Sequence, residues 1–392
     1  MKFVFVTCRL VMGGNEILIK KMSEWLLENG HDVDIITAQG GYLEDKMPVK
    51  AGVHVLGSFN FGSACVPLYP YNKKIKKIFK NADVLMGFSS GGHYFTYSLY
   101  KRYKCKGKLI SGVFHPNTGV GEMKYFNSIF ENSIFHGNRI YMNQAIIDDH
   151  SSQGLNTDDV KCWSLPVIGE LKTSDLNEKF NSIKLLSIGR LTKFKTYNLY
   201  MIPIIRNLID MGFNVEWHII GDDEENTREP VKDLMFNEIE KLGLEENIKI
   251  LGVVEYDQLS KYLSTSKIFI GMGTSAIEAC SNGIPTICAI VDDEKGLSYG
   301  YLWDQPHGCV GEKLVGKNPT NNVANMISNI LEMPIDEYKK LVDLSYNCAE
   351  QYMIEGQMNE FMNLVKDAKY GFVKKAPGRY NHIYNQIMKK LK

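Results

Sequence analysis

Apolar and polar positions alternate along this chain in two periods, one of strands and one of helices, taken in turn from end to end. Residues 2–7 (KFVFVT) predict a strand. Residues 15–29 (NEILIKKMSEWLLEN) carry helical spacing, with Ile19, Met22, Trp25 and Leu26 on one side. Gly30 follows at the position where helices favour glycine. Further strands are predicted over 32–37, 53–56, 83–88 and 108–114. Strand, helix, strand in this order implies right-handed crossovers and a mostly parallel sheet.

The pattern thins between residues 150 and 182, which predicts a connection between domains. A second series then begins. Strands are predicted over 183–188, 215–220, 247–251, 267–270 and 285–290, with helices about 197–211, 230–242, 256–264 and 275–282 between them. The tail from 319 is mainly helical, with a break at Ala376-Pro377-Gly378 and a last helix over 380–391. The expected architecture is α/β, with two doubly wound, Rossmann-like parallel sheets facing a cleft. The first domain is 1–168, the second 169–376, and 377–392 forms a terminal helix. Ligands of such sheets bind beyond the carboxyl ends of the strands, so chemistry is expected in the strand-to-helix loops.

Composition narrows the function classes. The chain has 392 residues, 44% hydrophobic and 23% charged, as in an ordinary globular protein. With 45 basic and 45 acidic side chains, it lacks the basic excess of a nucleic-acid binder. The charge is unevenly shared: 19 Lys/Arg against 14 Asp/Glu up to residue 168, then 26 against 31. The first apolar run is too short for a signal peptide core, and no stretch approaches the length of a membrane span. The eight cysteines are scattered with no CxxC, which predicts reduced thiols, a cytoplasmic protein and no structural zinc.

Three loops carry candidate chemistry. After the first strand comes Cys8-Arg9-Leu10-Val11-Met12-Gly13-Gly14-Asn15-Glu16. Its glycines allow close backbone approach to a ligand, and a helix start favours an anion. A tight turn capped by Asn15 or Gly14 explains the same residues. In the second series, Ile188-Gly189-Arg190-Leu191-Thr192-Lys193-Phe194-Lys195 places one Arg and two Lys after a strand, a set suited to a diphosphate. Third, Gly271-Met272-Gly273-Thr274-Ser275-Ala276-Ile277-Glu278 leads from a strand into a helix whose amides suit a phosphate. Glu278 is placed for ribose hydroxyls, although Ser275-x-x-Glu278 also reads as a capping box.

Three further features are weaker. His115, in Val113-Phe114-His115-Pro116-Asn117, sits just past a strand, where a histidine can hydrogen-bond substrate or simply cap its own loop. The run Lys73-Lys74-Ile75-Lys76-Lys77-Ile78-Phe79-Lys80 is a basic amphipathic helix, with Lys101-Arg102-Tyr103-Lys104 as a second basic cluster. The run either packs its apolar stripe on its own sheet or docks on anionic lipid. Asp222-Asp223-Glu224-Glu225 reads as a solvated loop, because consecutive carboxylates splay apart.

In this order the segments resemble the family-four retaining glycosyltransferases of the GT-B fold. The opening resembles theirs in its Gly13-Gly14-x-Glu16 and Gly30-His31-x-Val33, LLSIGRLTKFK in its GR…K segment, and AIEACSNGIPTICA in its EA-x-x-x-G-x-P. The HIIGDD and ENIKILGVV stretches are also similar, so the likeness covers most of the chain. It implies a nucleoside-diphosphate sugar, UDP- or GDP-linked, held mainly by the second domain, with no cofactor and no metal. By the same resemblance, Arg190 and Lys195 hold the diphosphate beside Gly189. Amides of Gly271, Met272, Gly273 and Thr274 meet the distal phosphate, and Glu278 binds ribose. His115 touches the donor sugar or leaving phosphate. Gly13 and Gly14 border the phosphates, while Glu16 and Asn117 lie on the acceptor side. The terminal helix crosses back onto the first domain.

One departure is plain. The family's E-x7-E places its first Glu at position 270, which is Ile270 here. The resemblance therefore implies a retaining hexosyltransferase of surface polysaccharide synthesis, acting on a glycan or lipid-linked acceptor at the inner membrane face. Two other readings stay open: a sugar-nucleotide epimerase or hydrolase, and a sugar-nucleotide-binding subunit that has lost catalysis.

Overall fold

The structure is a computed structural model that describes residues 1–373 except 12, 62–63, 68–71, 121–129, 168–169, 174, 224–228 and 256–257. The last helix expected over 380–391, and its crossing back, lie outside the described residues. The chain divides into two compact units. One comprises Met1–Met142, Asp149–Trp163 and the chain from Glu360 on; the other comprises Asn143–Asp148 and Ser164–Asn359.

The first unit is built on a seven-stranded sheet in the order β3-β2-β1-β6-β7-β8-β9. Its strands are β1 (Lys2–Arg9), β2 (Asp32–Gln39), β3 (Gly52–Val55), β6 (Val84–Phe88), β7 (Lys108–Val113), β8 (Arg139–Tyr141) and β9 (Lys161–Cys162). Every pairing in it is parallel. A separate hairpin pairs β4 (Ser58–Phe61) with β5 (Ala64–Pro67). Phe3, Val4, Phe5 and Val6 are all fully buried, as expected of a strand covered on both faces. Helix Gly14–Glu28 buries Ile19, Met22, Trp25 and Leu26, the side expected from its period. It ends in a Schellman turn: Gly30, at φ +76°, donates to Leu27 O and His31 donates to Leu26 O.

The basic run is helix Lys73–Asn81, capped by the Asn72 side chain. Its apolar stripe, Ile75, Ile78 and Phe79, is buried in the first unit's own core with Tyr94, Tyr100 and Leu109. The packing alternative therefore holds, and no apolar face is left to enter a bilayer. Lys73, Lys74, Lys77 and Lys80 stay exposed, as do Lys101, Arg102 and Lys104 at the end of helix Ser89–Tyr103. That helix has no apolar period to announce it. Gly91 and Gly92 instead let its start lie against β1, since a Cβ on Gly92 would stand 2.7 Å from the Val6 carbonyl oxygen.

The stretch expected to be a bare connection is partly structural. It contains β9 and helix Leu176–Asn181, and it buries Trp163. The Trp163 ring lies 5.1 Å from Phe361, which in turn lies 6.3 Å from Phe3. The Lys108 ammonium donates to the Val365 and Lys366 carbonyls, at 2.8 and 2.7 Å, capping the end of helix Ile354–Asp367. These contacts join the described residues from Glu360 to the first unit, ahead of the Ala376-Pro377-Gly378 break marked in the sequence.

The second unit has a five-stranded parallel sheet in the order β12-β11-β10-β13-β14. Its strands are β10 (Lys184–Ile188), β11 (Glu216–Ile220), β12 (Ile248–Gly252), β13 (Ile268–Gly271) and β14 (Thr286–Cys288). All fall where the strand period predicts them. The core gathers Leu185, Trp217, Ile219 and Ile270 with the faces of helices Tyr197–Asp210 and Val231–Leu242. Among the described residues, no helix is long and apolar enough to cross a membrane.

Candidate functional site

In the second unit, β10 runs next to β11 on one side and β13 on the other. The sheet's winding reverses between β10 and β13, the crevice where open α/β sheets take ligands. The two loops singled out in the sequence leave these two strands. They are tied together: the Ser275 hydroxyl donates to the Ile188 carbonyl at 2.8 Å, joining the helix after β13 to the end of β10.

Gly189 begins the first loop at φ +151°, and its N–H donates to Ile220 O at 2.8 Å. A Cβ on Gly189 would fall 2.3 Å from the Lys195 Nζ, so glycine makes room for the ammonium. A Cβ on Gly221 would meet the Gly189 carbonyl oxygen at 2.0 Å, so two strand ends touch backbone to backbone. Burial first, and then the Arg190 charge, pulls the Lys195 pKa down to about 8. Two cations held this close, one of them desolvated, make a site that gains from an anion. Arg190 is exposed. Lys193, the third cation, is turned to an ion pair with Glu229.

The second loop corrects two expectations. Helix Thr274–Ser281 has Gly273 as its N-cap, at φ +73°, with no side-chain cap. Ser275 is therefore inside the helix and donates to carbonyls, so Ser275 and Glu278 form no capping box. Glu278 is half-buried on that helix. The expected cradle from Gly271 to Thr274 is also smaller by one donor, since the Gly273 N–H already donates to Val310 O at 2.6 Å. The first-turn amides at Thr274 and Ser275 have no partner within the helix and supply its positive end. Ile270 is fully buried in β13 opposite Ile287, so position 270 offers no side chain to a ligand.

The carboxylate run is not simply solvated. Asp222 pairs with Lys232 at 3.0 Å, and Asp223 caps helix Val231–Leu242 by accepting from the Val231 N–H at 2.7 Å. Glu224 and Glu225 lie outside the described residues. Among the described residues, no group of three or more His, Cys, Asp or Glu could hold a metal.

The remaining candidates lie in the first unit, also beyond strand carboxyl ends. Gly13 is the N-cap of helix Gly14–Glu28, in place of the Gly14 or Asn15 expected. The Glu16 carboxylate folds back over it, within 2.4 Å of where a Gly13 Cβ would be. Glu16 thus stands three residues past the Gly13 cap, on the first turn of its helix. His115 stands two residues past β7 and is exposed. Its Nδ1 accepts from the Asn117 N–H at 3.1 Å, which puts the proton of the neutral ring on Nε2. The sheet places β6 between β1 and β7, so His115 and Asn117 do not adjoin the Gly13-Gly14 turn along it.

Sequence reasoning missed what anchors this loop. His150 is buried, and its Nε2 bonds the Pro116 carbonyl at 2.6 Å. Its Nδ1 faces the Tyr141 hydroxyl at 3.1 Å. Burial holds His150 below the ordinary histidine range, consistent with a neutral ring that donates at one nitrogen and accepts at the other. His150 lies 34 residues from Pro116, and no local pattern links them.

Residues 170–292 match the family described as Glycosyl transferases group 1. No curated protein matches the chain in sequence. Among solved structures, Anabaena HepE in complex with UDP and glucose aligns with a TM-score of 0.66 at 14% identity, over 94% of this chain and 100% of that one. A glycosyltransferase from Rickettsia africae aligns at 0.65 and 16%, over 93% and 98%. Sucrose-phosphate synthase from Thermosynechococcus elongatus aligns at 0.65 and 12%, over 93% and 98%. The two parallel α/β units are those of the GT-B fold.

Proposed function

We propose that the chain is a retaining, metal-independent glycosyltransferase that takes a hexose from a UDP- or GDP-sugar. The observation that carries this reading is the pairing, at the β10–β13 crevice, of Arg190 and a desolvated Lys195 with the start of helix Thr274–Ser281. Such a site stabilises the charge that grows on a departing diphosphate. The family match over 170–292, and the UDP and glucose bound in HepE, support it. In this reading Glu278 accepts from ribose and His115 Nε2–H donates to the sugar or leaving phosphate. The diphosphate itself helps deprotonate the acceptor hydroxyl on the same face. No flanking carboxylate pair is needed, unlike in a glycosidase.

The acceptor is a glycan or lipid-linked saccharide of surface polysaccharide synthesis, met in the cytoplasm at the inner membrane face. With the apolar stripe of helix Lys73–Asn81 in the core, membrane contact falls to the exposed lysines. Binding to vesicles containing phosphatidylglycerol is then expected to vanish at high salt. Salt-resistant sedimentation with the vesicles, or none at low salt, contradicts a purely electrostatic contact.

One observation favours a second reading. Ile270 fills the position of the missing carboxylate and is fully buried, which suits a nucleotide-binding subunit without turnover. The first test is a thermal-shift panel of UDP-, GDP-, ADP- and TDP-sugars on the wild type and Arg190→Ala. A ligand at 100 times its Kd adds about 2.7 kcal/mol of stability. One nucleotide is expected to shift the wild type and to shift the variant by about half as much or less. No shift for any nucleotide removes both readings.

A further inference from the structure

Glu312 is a carboxylate that no motif or period of the sequence singles out. It is 8% exposed, and burial holds its pKa above the ordinary carboxylate range. Both oxygens are engaged: Oε2 accepts from the Val310 N–H at 2.7 Å and Oε1 from the Asn143 Nδ2 at 3.1 Å. The short strap Val310-Gly311-Glu312 is in turn sewn to the two loops that end β13 and β14. Val310 O accepts from the Gly273 N–H at 2.6 Å, and Gly311 O accepts from the Val291 N–H at 2.8 Å. The fit is tight. A Cβ on Gly311, at φ +126°, would stand 2.6 Å from the Met272 Cβ and 2.9 Å from the Ala289 oxygen.

Glu312 therefore folds its own strap back through Val310 and presents the Val310 carbonyl to Gly273. This bond takes one amide out of the turn before helix Thr274–Ser281 and holds Gly273 in its left-handed conformation. The helix-start amides of Thr274 and Ser275 remain to face an anion. We propose that Glu312 is the positioning residue of the donor-phosphate cradle, setting which amides meet the diphosphate without touching it. This rests on the reading of the β10–β13 crevice as a diphosphate site.

A carboxylate buried with two N–H partners is costly to unpair, so its removal frees the strap and lets the turn relax. In the proposed reading this turn meets the phosphates, and the ribose is met by Glu278, a turn further along the helix. Phosphate affinity and nucleoside affinity should thus separate. The test is titration calorimetry of Glu312→Ala, Glu312→Gln and Asn143→Ala with the nucleoside diphosphate that binds the wild type, UDP or GDP, and with its nucleoside alone. Glu312→Ala is expected to weaken the diphosphate about tenfold, the loss of one to two hydrogen bonds, and leave the nucleoside unchanged. Glu312→Gln keeps one acceptor and loses about threefold. Asn143→Ala frees one oxygen, and is expected to lose a similar amount where Glu312→Ala does not fold.

Equal losses for diphosphate and nucleoside overturn the proposal, since they mark a general structural role. No loss in any variant overturns it as well. If neither diphosphate binds the wild type, or Arg190→Ala binds as the wild type does, the diphosphate reading itself fails. A failure confined to the Glu312 and Asn143 variants leaves that reading standing.

Discussion

Arg190→Ala and Lys195→Gln are each expected to weaken nucleoside-diphosphate binding by about ten- to a hundredfold, the cost of one to two charge-assisted hydrogen bonds. The Lys195 variant carries the more telling signature. In the free protein, burial and the neighbouring Arg190 hold the Lys195 pKa at about 8, against 10.5 for an ordinary lysine. A lysine held low binds fewer protons folded than unfolded. Its burial therefore costs stability below pH 8, and that cost is relieved between about 8 and 10.5 as the unfolded side chain also loses its proton. A bound diphosphate reverses the pull and raises the pKa, so binding takes up a proton. Affinity should be flat below pH 8 and fall above it, by at most about tenfold per pH unit. Lys195→Gln should lose this slope, whereas Arg190→Ala should keep it. Calorimetry from pH 6.5 to 9.5 decides the matter. A wild-type affinity unchanged up to pH 9.5 shows that Lys195 does not meet the phosphates.

His115→Ala is expected to lower kcat by about 10²–10³, the usual loss when one donor is removed from a developing charge. Nucleotide affinity, assigned to the second unit in the proposed reading, should stay within about twofold, well below the tenfold that marks a lost contact. In the proposed reading one donor of fixed tautomer carries the effect. Asn117 fixes the tautomer by donating to Nδ1, so Nε2–H is the ring's donor. His150, bonded to the Pro116 carbonyl, holds the loop from beneath. The readout is release of free nucleotide with and without an acceptor mixture. A wild type that releases nucleotide only with acceptor, and a variant that does not, supports the transferase. Release of nucleotide and free sugar without acceptor supports a hydrolase or epimerase. A wild type that binds nucleotide and never releases sugar marks a binding subunit, and His115→Ala then changes nothing.

The placement of the two candidate loops was legible because each piece is local. The GR…K run and the GMG turn follow strand periods within a few residues, and both land on the carboxyl ends of β10 and β13. The position of Glu16 on the first turn of its helix was also readable. What could not be read is which backbone donors are already taken. The Gly273 amide looked available until Val310, 37 residues on, proved to accept from it. The capping box at Ser275 failed for a similar reason. Its hydroxyl found a carbonyl on Ile188, 87 residues away, which competes with the local cap.

By itself the sequence determined the alternation of strands and helices, and hence two parallel α/β sheets. Period and punctuation are local properties: apolar runs for β1 and β10, and Gly30 where a left-handed turn is required. Tertiary structure alone decided the rest. Strand order sets β6 against β1 and β13 against β10, and so places the crevices. The core claimed the apolar stripe of helix Lys73–Asn81, whose amphipathic pattern had left a membrane open as the alternative. Trp163 and Phe361, far apart in the chain, share one aromatic contact that draws the chain from Glu360 back to the first unit. Such contacts depend on which surfaces meet once the sheets have formed. A partner hundreds of residues distant leaves no period in the sequence for either residue to reveal.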